Sequence, residues 1–314
     1  MKTPTSNSRA DLYSRVTERV IADLEKGVRP WLKPWSAGNG AGRVGLPRRH
    51  NGVPYRGINV LVLWGEALDK GYDSTIWMTF NQALALGGHV RRAEHGAVIV
   101  YADRIIRTET DERGQDVERE IPFLKAYRVF NVAQIEGLPV HYYAPVNQKA
   151  DKLELIDAAE RFFSTTGAII RHGGDQAYYS PRTDVIQLPV AEAFRDAESY
   201  AATKAHELTH WTSHPQRLSR DLGGKRFGDG GYAREELVAE LGAAFLCADL
   251  GIAIEPREDH ASYLGHWLSI LREDKRAIFA AAAHAQRAVD YLHGLQSQHS
   301  SAAAQTVITS LDAP

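Results

Sequence analysis

Cysteine is almost missing from this 314-residue sequence. Cys247 stands alone in an apolar segment, so no internal disulfide can form, and a disulfide-stapled secreted scaffold is excluded. Long apolar runs are missing too. The strongly apolar stretches are short, such as Ile58–Trp64 (INVLVLW), against the ~18–20 residues a membrane span needs. The opening MKTPTSNSRADLYSR is polar and has no apolar h-region, so no secretory signal is expected. These absences predict a reducing, cytoplasmic compartment and no membrane partner. With hydrophobic residues at 44% and charged residues at 24%, a disordered chain, a collagen-like fibre and a coiled-coil rod are excluded as well. No internal repeat is present.

The formal net charge of −2 conceals an asymmetry. Residues 1–140 hold 20 Lys and Arg against 16 Asp and Glu, which leaves 17 against 23 for the rest. The basic excess sits mostly between Lys26 and Arg92, where ten basic residues face three acidic ones. A surplus confined to one stretch is a better sign of a polyanionic partner than the overall balance. Two halves of opposite charge suggest two jobs.

The pattern predicts an α+β protein of two domains, a small mixed α/β module over 1–140 and a mainly helical domain over 150–296. An amphipathic helix opens the chain at Asp11–Gly27, with Leu12, Val16, Val20 and Leu24 recurring every four residues. A buried helix follows Tyr55-Arg56-Gly57-Ile58-Asn59, and a short one at Thr79–Leu86 ends at Gly87-Gly88. Ala97–Ala102 and Phe123–Asn131 read as paired strands joined by a charged, solvated hairpin or loop. The second half reads as a helix at Leu153–Thr166, strands near 169–170 and 176–188, then helices near 200–213, 232–250 and 262–296. The small, polar tail at 297–314 reads as disordered.

The sharpest feature is His206-Glu207-Leu208-Thr209-His210. Residues i and i+4 share one helix face, so two imidazoles there grip one divalent cation. Glu207 between them is placed to act as general base on a water acidified by the metal. A third ligand is expected from Tyr232-Ala-Arg-Glu-Glu-Leu-Val-Ala-Glu240. Glu236 and Glu240 lie four apart on a face otherwise apolar, where an unpartnered carboxylate is costly. Glu236 is assigned as ligand and Glu240 as the partner that holds a histidine ring; the reverse assignment stays open. Glu235, one position round the helix, reads as a solvated neighbour. Tyr232 is placed to reach an oxyanion, with packing as the alternative. A His₂Glu set suits Zn²⁺, and Mn²⁺ is the alternative. The remaining histidines, His214 among them, read as loop, packing or surface residues.

Single-strand binders combine a basic groove with aromatic rings on which bases stack. Trp31, Trp35, Tyr55, Trp64, Trp77 and Phe80 are interleaved here with Lys33, Arg43, Arg48, Arg49, Arg56, Arg91 and Arg92. Trp31 and Trp35 flank Lys33 in a Pro-bounded segment and read as stacking residues, while Trp64 and Trp77 read as core. Arg48-Arg49 is the phosphate-facing pair, and Asn59 is placed to cap a helix and donate to a phosphate.

The strings HELTHWTSHPQRLSR, YAREELVAELGAAFL and YLGHWLSILREDKRAIFAAAAHAQRAVDYL resemble the zincin-like metallopeptidase domain of ArdC-type antirestriction proteins. PWLKPW, NGVPYRGINVLVL, WMTFNQALALGGHVRRAEHGAVIVY and AYRVFNVAQIEGLP are similar to the N-terminal single-stranded-DNA-binding domain of the same family, found also in plasmid-encoded conjugative primases. The resemblance implies a bacterial, plasmid- or mobile-element-borne factor that protects incoming DNA from host restriction during conjugation. It leaves two rivals: a peptidase that cleaves a host restriction or DNA-processing protein, and a DNA-coating protein whose metal is structural. No acidic triad or zinc ribbon of primer synthesis is visible. One departure stands out, because the family's Lys/Arg-Gly-Glu turn is Arg92-Ala93-Glu94 here.

Overall fold

The structure, a computed structural model, describes residues 6–29, 31, 45–110, 115–144, 152–223, 230–253 and 261–311. Lys33 and Trp35 lie outside the described residues. The chain forms two compact units, one of residues 1–18 and 47–146, the other of residues 19–46 and 147–314. The segment Arg19–Leu46 groups with the second unit. Helix α1 spans Ser6–Glu25.

The first unit is built on a four-stranded sheet. Strands β1 (Arg48–Arg49), β2 (Ile76–Thr79), β4 (Ala97–Thr110) and β5 (Asp116–Asn131) lie in the order β1-β2-β5-β4. β1 runs parallel to β2 and the other pairs are antiparallel. A small second sheet pairs β3 (His89–Val90) with β6 (Ile135–Glu136). Side chains alternate across a strand, so the main sheet carries one core on each face. On one face, Tyr55, Leu63, Trp77, Ala97, Ile99 and Val129 pack together under α2 (Ile58–Lys70). On the other, Met78, Ala83 and Phe130 meet Val132, Ile135, Leu138 and Tyr142. Helix α3 (Phe80–Ala85) starts on a capping box, with Thr79 accepting from the Gln82 amide and Gln82 accepting from the Thr79 amide.

β4 and β5 pair in register from Ala97↔Val129 to Thr110↔Asp116. The segment read as a charged hairpin or loop is therefore, over its described residues, the far part of a two-stranded ribbon. The charges there do not oppose strand formation, because most described side chains along it are exposed.

In the second unit α4 (Lys152–Ser164) precedes a three-stranded sheet of β7 (Ile169–His172), β8 (Tyr178–Ser180) and β9 (Val185–Leu188), ordered β7-β9-β8. The stretch 176–188, read as one strand, is thus two, joined by a turn in which Asp184 takes a positive φ of 53°. Four helices follow: α5 (Ala197–Trp211), α6 (Gly230–Leu250), α7 (Ala261–Glu273) and α8 (Ala277–Leu311). The single helix expected over 262–296 is interrupted between α7 and α8, where the Asp274 carboxylate accepts from the Arg276 amide. Helix α8 extends to Leu311.

α6 is buried on nearly every side from Leu237 to Ala248. A helix apolar all round belongs in a core rather than at a surface. Its approach to α5 is close at one point. A Cβ added to Gly242 would lie 2.5 Å from Thr209 Cγ2 and 2.7 Å from Thr209 Oγ1.

Backbone detail sets two expectations for stability. Ala93 holds a left-handed φ of 68°, at the position where the family's turn has glycine. Glu94 fixes that turn by accepting from Arg91 and from Gln134, each at 2.8 Å. Ala93→Gly relieves ~1–2 kcal/mol of left-handed strain at an entropic cost of ~0.5–1 kcal/mol. A higher denaturant midpoint is expected, and a lower one would show that the turn is unstrained. Gly242→Ala should destabilise by about 1–3 kcal/mol through overpacking against Thr209, read as a lower melting temperature.

Candidate metal centre

Helix α5 begins on Asp196, whose carboxylate accepts from the Ser199 amide at 2.7 Å. From that start, the i, i+4 spacing sets His206 and His210 on one face, with their Nε2 atoms 3.2 Å apart. Glu236 of α6 completes the group. One of its oxygens is 3.5 Å from His206 Nε2 and the other 3.5 Å from His210 Nε2. Among the described residues these three form the one His/Cys/Asp/Glu group with donor atoms this close, all within 4.8 Å. A tetrahedral ion bound at ~2.0–2.1 Å has ligand–ligand edges of about 3.3–3.4 Å. The 3.2 Å between the two Nε2 atoms matches that edge, one ligand atom from each of the three residues lies within 4.8 Å of the others, and the donors are of the right chemistry. The residues fit a divalent cation.

Glu207 lies between the two histidines and is buried, only 3% exposed. Tyr232 is half-buried, with its hydroxyl 3.4 Å from that of Tyr263. Burial raises the Tyr232 pKa, and the bond to Tyr263 and the nearby Glu236 charge raise it further, so the phenol stays protonated.

Glu235 holds the ring of His210. His210 Nδ1 lies 3.2 Å from Glu235 Oε1. An ionised carboxylate there accepts, so Nδ1 carries a proton and Nε2 is the ring nitrogen left to a metal ion. Glu235 is in turn gripped by Arg220, through Nε at 2.8 Å and Nη2 at 2.6 Å. Arg220 also donates to the Thr209 carbonyl and to Thr212 Oγ1, both on or at the end of α5. Glu240, the expected ring partner, is buried one turn further along α6 and forms an ion pair with Arg29 at 3.8 Å.

Nothing in the sequence singles out Arg220. It reaches the site because the chain reverses after α5, with Ser219 at a φ of 46° and the Arg220 amide donating to the Ser213 carbonyl. In the same reversal Arg217 lies over the Trp211 ring at 3.9 Å and pairs with Asp184. No pattern of spacing announces this return.

The electrostatics follow from the geometry. Burial alone would lower the His210 pKa, but the Glu236 and Glu235 carboxylates outweigh it and push it up to about 10. Burial would raise Glu236, and the two imidazoles beside it hold its carboxyl well below the usual range. A cation bound by these atoms replaces the proton as the neutralising charge.

The residues expected to meet DNA are dispersed. Trp31 is wholly buried in the second unit, edge-on to Trp267 at 6.1 Å, so its ring offers no face for stacking. Tyr55 is 6% exposed, under the Arg49 guanidinium, and burial pushes its hydroxyl up to about 12. Asn59 does not face outward to a phosphate. Its amide donates to the Val100 carbonyl at 2.7 Å and accepts from the Val100 amide at 2.8 Å. Arg48, Arg49, Arg56, Arg91 and Arg92 are exposed. Arg48 donates to the Gly52 carbonyl, and Arg91 pairs with Glu94.

Glu235→Gln should weaken metal binding by about 10–100-fold, the usual effect of losing the group that orients a ligating histidine. Glu240→Gln should leave metal affinity near wild type, both measured by competition with a chromogenic chelator. The opposite ranking would return the ring-holding role to Glu240.

Comparison with known proteins covers both units. Residues 10–130 match the N-terminal domain of anti-restriction factor ArdC, and residues 157–284 match a zincin-like metallopeptidase family. Uncharacterized protein y4eC of Sinorhizobium fredii (strain NBRC 101917 / NGR234) is 41% identical over 297 residues, covering 93% of this chain and 95% of that protein. DNA primase TraC of Escherichia coli is 40% identical over 295 residues, 89% of this chain but only 27% of the primase. The metal-free crystal structure of the antirestriction ArdC protein from plasmid R388 aligns with a TM-score of 0.76 at 44% identity, covering 92% of this chain and 98% of that one. Its Mn(II)-bound structure aligns at 0.72 and 43% identity, over 90% and 97%. Similarity this high, running the length of both partners, means that the chain belongs to the ArdC family of antirestriction proteins and carries a zincin-like domain.

Proposed function

We propose that this protein binds single-stranded DNA and protects incoming DNA from host restriction, using a divalent-metal peptidase centre against a host restriction or DNA-processing protein in the bacterial cytoplasm. The observation that carries the enzymatic part is the convergence of His206, His210 and Glu236, with His210 oriented by Glu235 and with Glu207 on the same helix. The Mn(II)-bound relative supports a divalent ion there. Zn²⁺ suits the donor set, and Mn²⁺ is the alternative.

When bound, the ion supplies a Lewis acid that polarises a carbonyl and acidifies a water. The chain's own residues do the rest. Glu207 takes the proton of the attacking water and returns it to the leaving amine. Tyr232, kept protonated by burial, donates to the oxygen on which negative charge develops. Arg220 and Glu235 hold His210 in the tautomer that binds.

Glu207→Gln is the test. Losing a general base costs roughly 10²–10⁴ in rate. Protection of a transferred plasmid in a restricting host should therefore collapse, while metal content by elemental analysis and DNA affinity stay at wild-type levels. Full protection by a metal-loaded Glu207→Gln protein would show that DNA coating carries the function and that the metal is structural. Replacing His206 and His210 together with Ala should abolish stoichiometric metal and lower the melting temperature, because binding to the folded state alone stabilises it.

A further inference from the structure

The aromatic rings that the sequence offers for DNA are mostly core. Trp31, Trp64 and Trp77 are at most 2% exposed, and Tyr55 is 6% exposed. Two other rings of the first unit are presented to solvent side by side, Tyr101 on β4 at 45% and Tyr127 on β5 at 43%. They are cross-strand diagonal neighbours, because Tyr127 pairs with Ile99 and Tyr101 with Lys125. Their centroids are 6.3 Å apart with the rings nearly perpendicular. Both lie on the sheet face that carries Ala97, Ile99 and Val129, just beyond the point where that face becomes core.

The surroundings are basic and rigid. Lys125 stands opposite Tyr101 across the ribbon. Arg49 lies close enough to lower the Tyr101 hydroxyl pKa against the upward pull of Asp103, the group to which that hydroxyl donates at 2.6 Å. Arg56 is exposed three residues before Asn59, whose amide clamps Val100 beside Tyr101. The hydroxyl bond to Asp103 and the clamp on Val100 fix the Tyr101 ring without covering it. Further out the ribbon changes character. In sequence, residues 103–123 hold seven acidic and four basic residues, a composition that disfavours phosphate. Exposed rings and excess positive charge therefore coincide at the base of the ribbon.

We infer that Tyr101 and Tyr127, flanked by Arg49 and Lys125, form the base-stacking platform for single-stranded DNA. This rests on the single-strand reading given above and assigns its contact surface. A ring needs the flat face of an unpaired base, which a duplex keeps inside its stack, whereas arginine and lysine serve either form through phosphate. The platform is thus the part of the surface that selects single strands, and the charges set affinity and salt dependence.

The test uses the full-length protein and a labelled oligothymidine, read by fluorescence anisotropy at several salt concentrations. Tyr101→Ala and Tyr127→Ala should each lower affinity by about 5- to 150-fold, the range for removing one stacking ring, with the salt slope unchanged. Tyr101→Phe and Tyr127→Phe keep the ring and should bind like wild type. Arg49→Ala should instead flatten the slope, by about 0.7 for each phosphate no longer neutralised. Wild-type protein that fails to bind any single strand overturns the single-strand reading itself. Wild-type binding with both Ala variants unimpaired, or with the Phe variants as weak as the Ala ones, overturns the platform and leaves that reading standing. Photocrosslinking of wild type to a 5-iodouracil oligonucleotide, mapped by mass spectrometry, removes any dependence on variant folding. Crosslinks to Tyr101 or Tyr127 are expected, and crosslinks confined to other residues reject the assignment.

Discussion

Charge that must be buried between α5 and α6 sets the terms for the second unit. His206, Glu207, Arg220, Glu236 and Glu240 are each less than 9% exposed, in a region otherwise made of leucine, alanine, valine and phenylalanine. An ionised group left alone in such a place costs several kcal/mol, and breaking a buried pair costs about 3–5 kcal/mol. The structure meets the constraint by chaining opposite charges. Arg220 neutralises Glu235, Glu235 holds His210, and His210 with His206 faces Glu236. The series runs from a structural end, where Arg220 ties two helices and a loop together, to a chemical end where three donors converge. A divalent ion at that end is the natural last member, since it supplies positive charge without requiring the imidazoles to stay protonated.

How much of this is legible in the sequence depends on whether local geometry fixes the answer. His206 and His210 are legible because a single helix turn dictates their common face, whatever surrounds it. The choice among Glu235, Glu236 and Glu240 is harder. Sequence reading relies on an apolar face to set the phase of a helix, and α6 is buried almost all round, so its phase carries little signal. Glu236 stands out by its apolar neighbours, but Glu235 reads as a surface residue because nothing in the local pattern shows Arg220 returning to it. The same limit applies to strands. Ala97–Ala102 and Phe123–Asn131 are legible from composition, while the ribbon beyond them is charged on both sides and resembles a loop until its register is known.

Aromatic residues show why composition alone misplaces a nucleic-acid surface. Interleaved aromatic and basic residues describe both a binding groove and a core edged by charged side chains. Tryptophan has the larger apolar area and a single polar hydrogen, so burial against another ring is its more stabilising use, as with Trp31 and Trp267 or Tyr72 and Trp77. Tyrosine tolerates exposure better, since its hydroxyl can be satisfied at the surface, as Tyr101's is by Asp103. The sheet edge enforces the division. β4 is an outer strand, and Asn59 satisfies its Val100 backbone groups, closing part of an edge that would otherwise invite pairing with another chain.

The Arg29–Glu240 pair carries the charge argument beyond the metal. Glu240 lies one helical turn past Glu236, in the same buried environment. Its compensating charge comes from more than two hundred residues earlier in the chain, from Arg29, two positions before Trp31. Trp31 packs on Trp267, whose indole donates to the Ala233 carbonyl of α6 and whose ring stacks on Tyr263, the partner of Tyr232. The segment before β1 thus reaches α6 twice, once through charge and once through an aromatic series that leads to Tyr232. A polypeptide starting near residue 150 would contain all three metal-site residues and yet leave Glu240 without Arg29 and Trp267 without its edge-on neighbour. Such a fragment is expected to be less stable than the whole unit, because an opposite charge is withdrawn from a buried carboxylate and an aromatic neighbour from a buried ring. The second unit is therefore discontinuous, and Arg29 and Trp31 belong to it as much as α5 does.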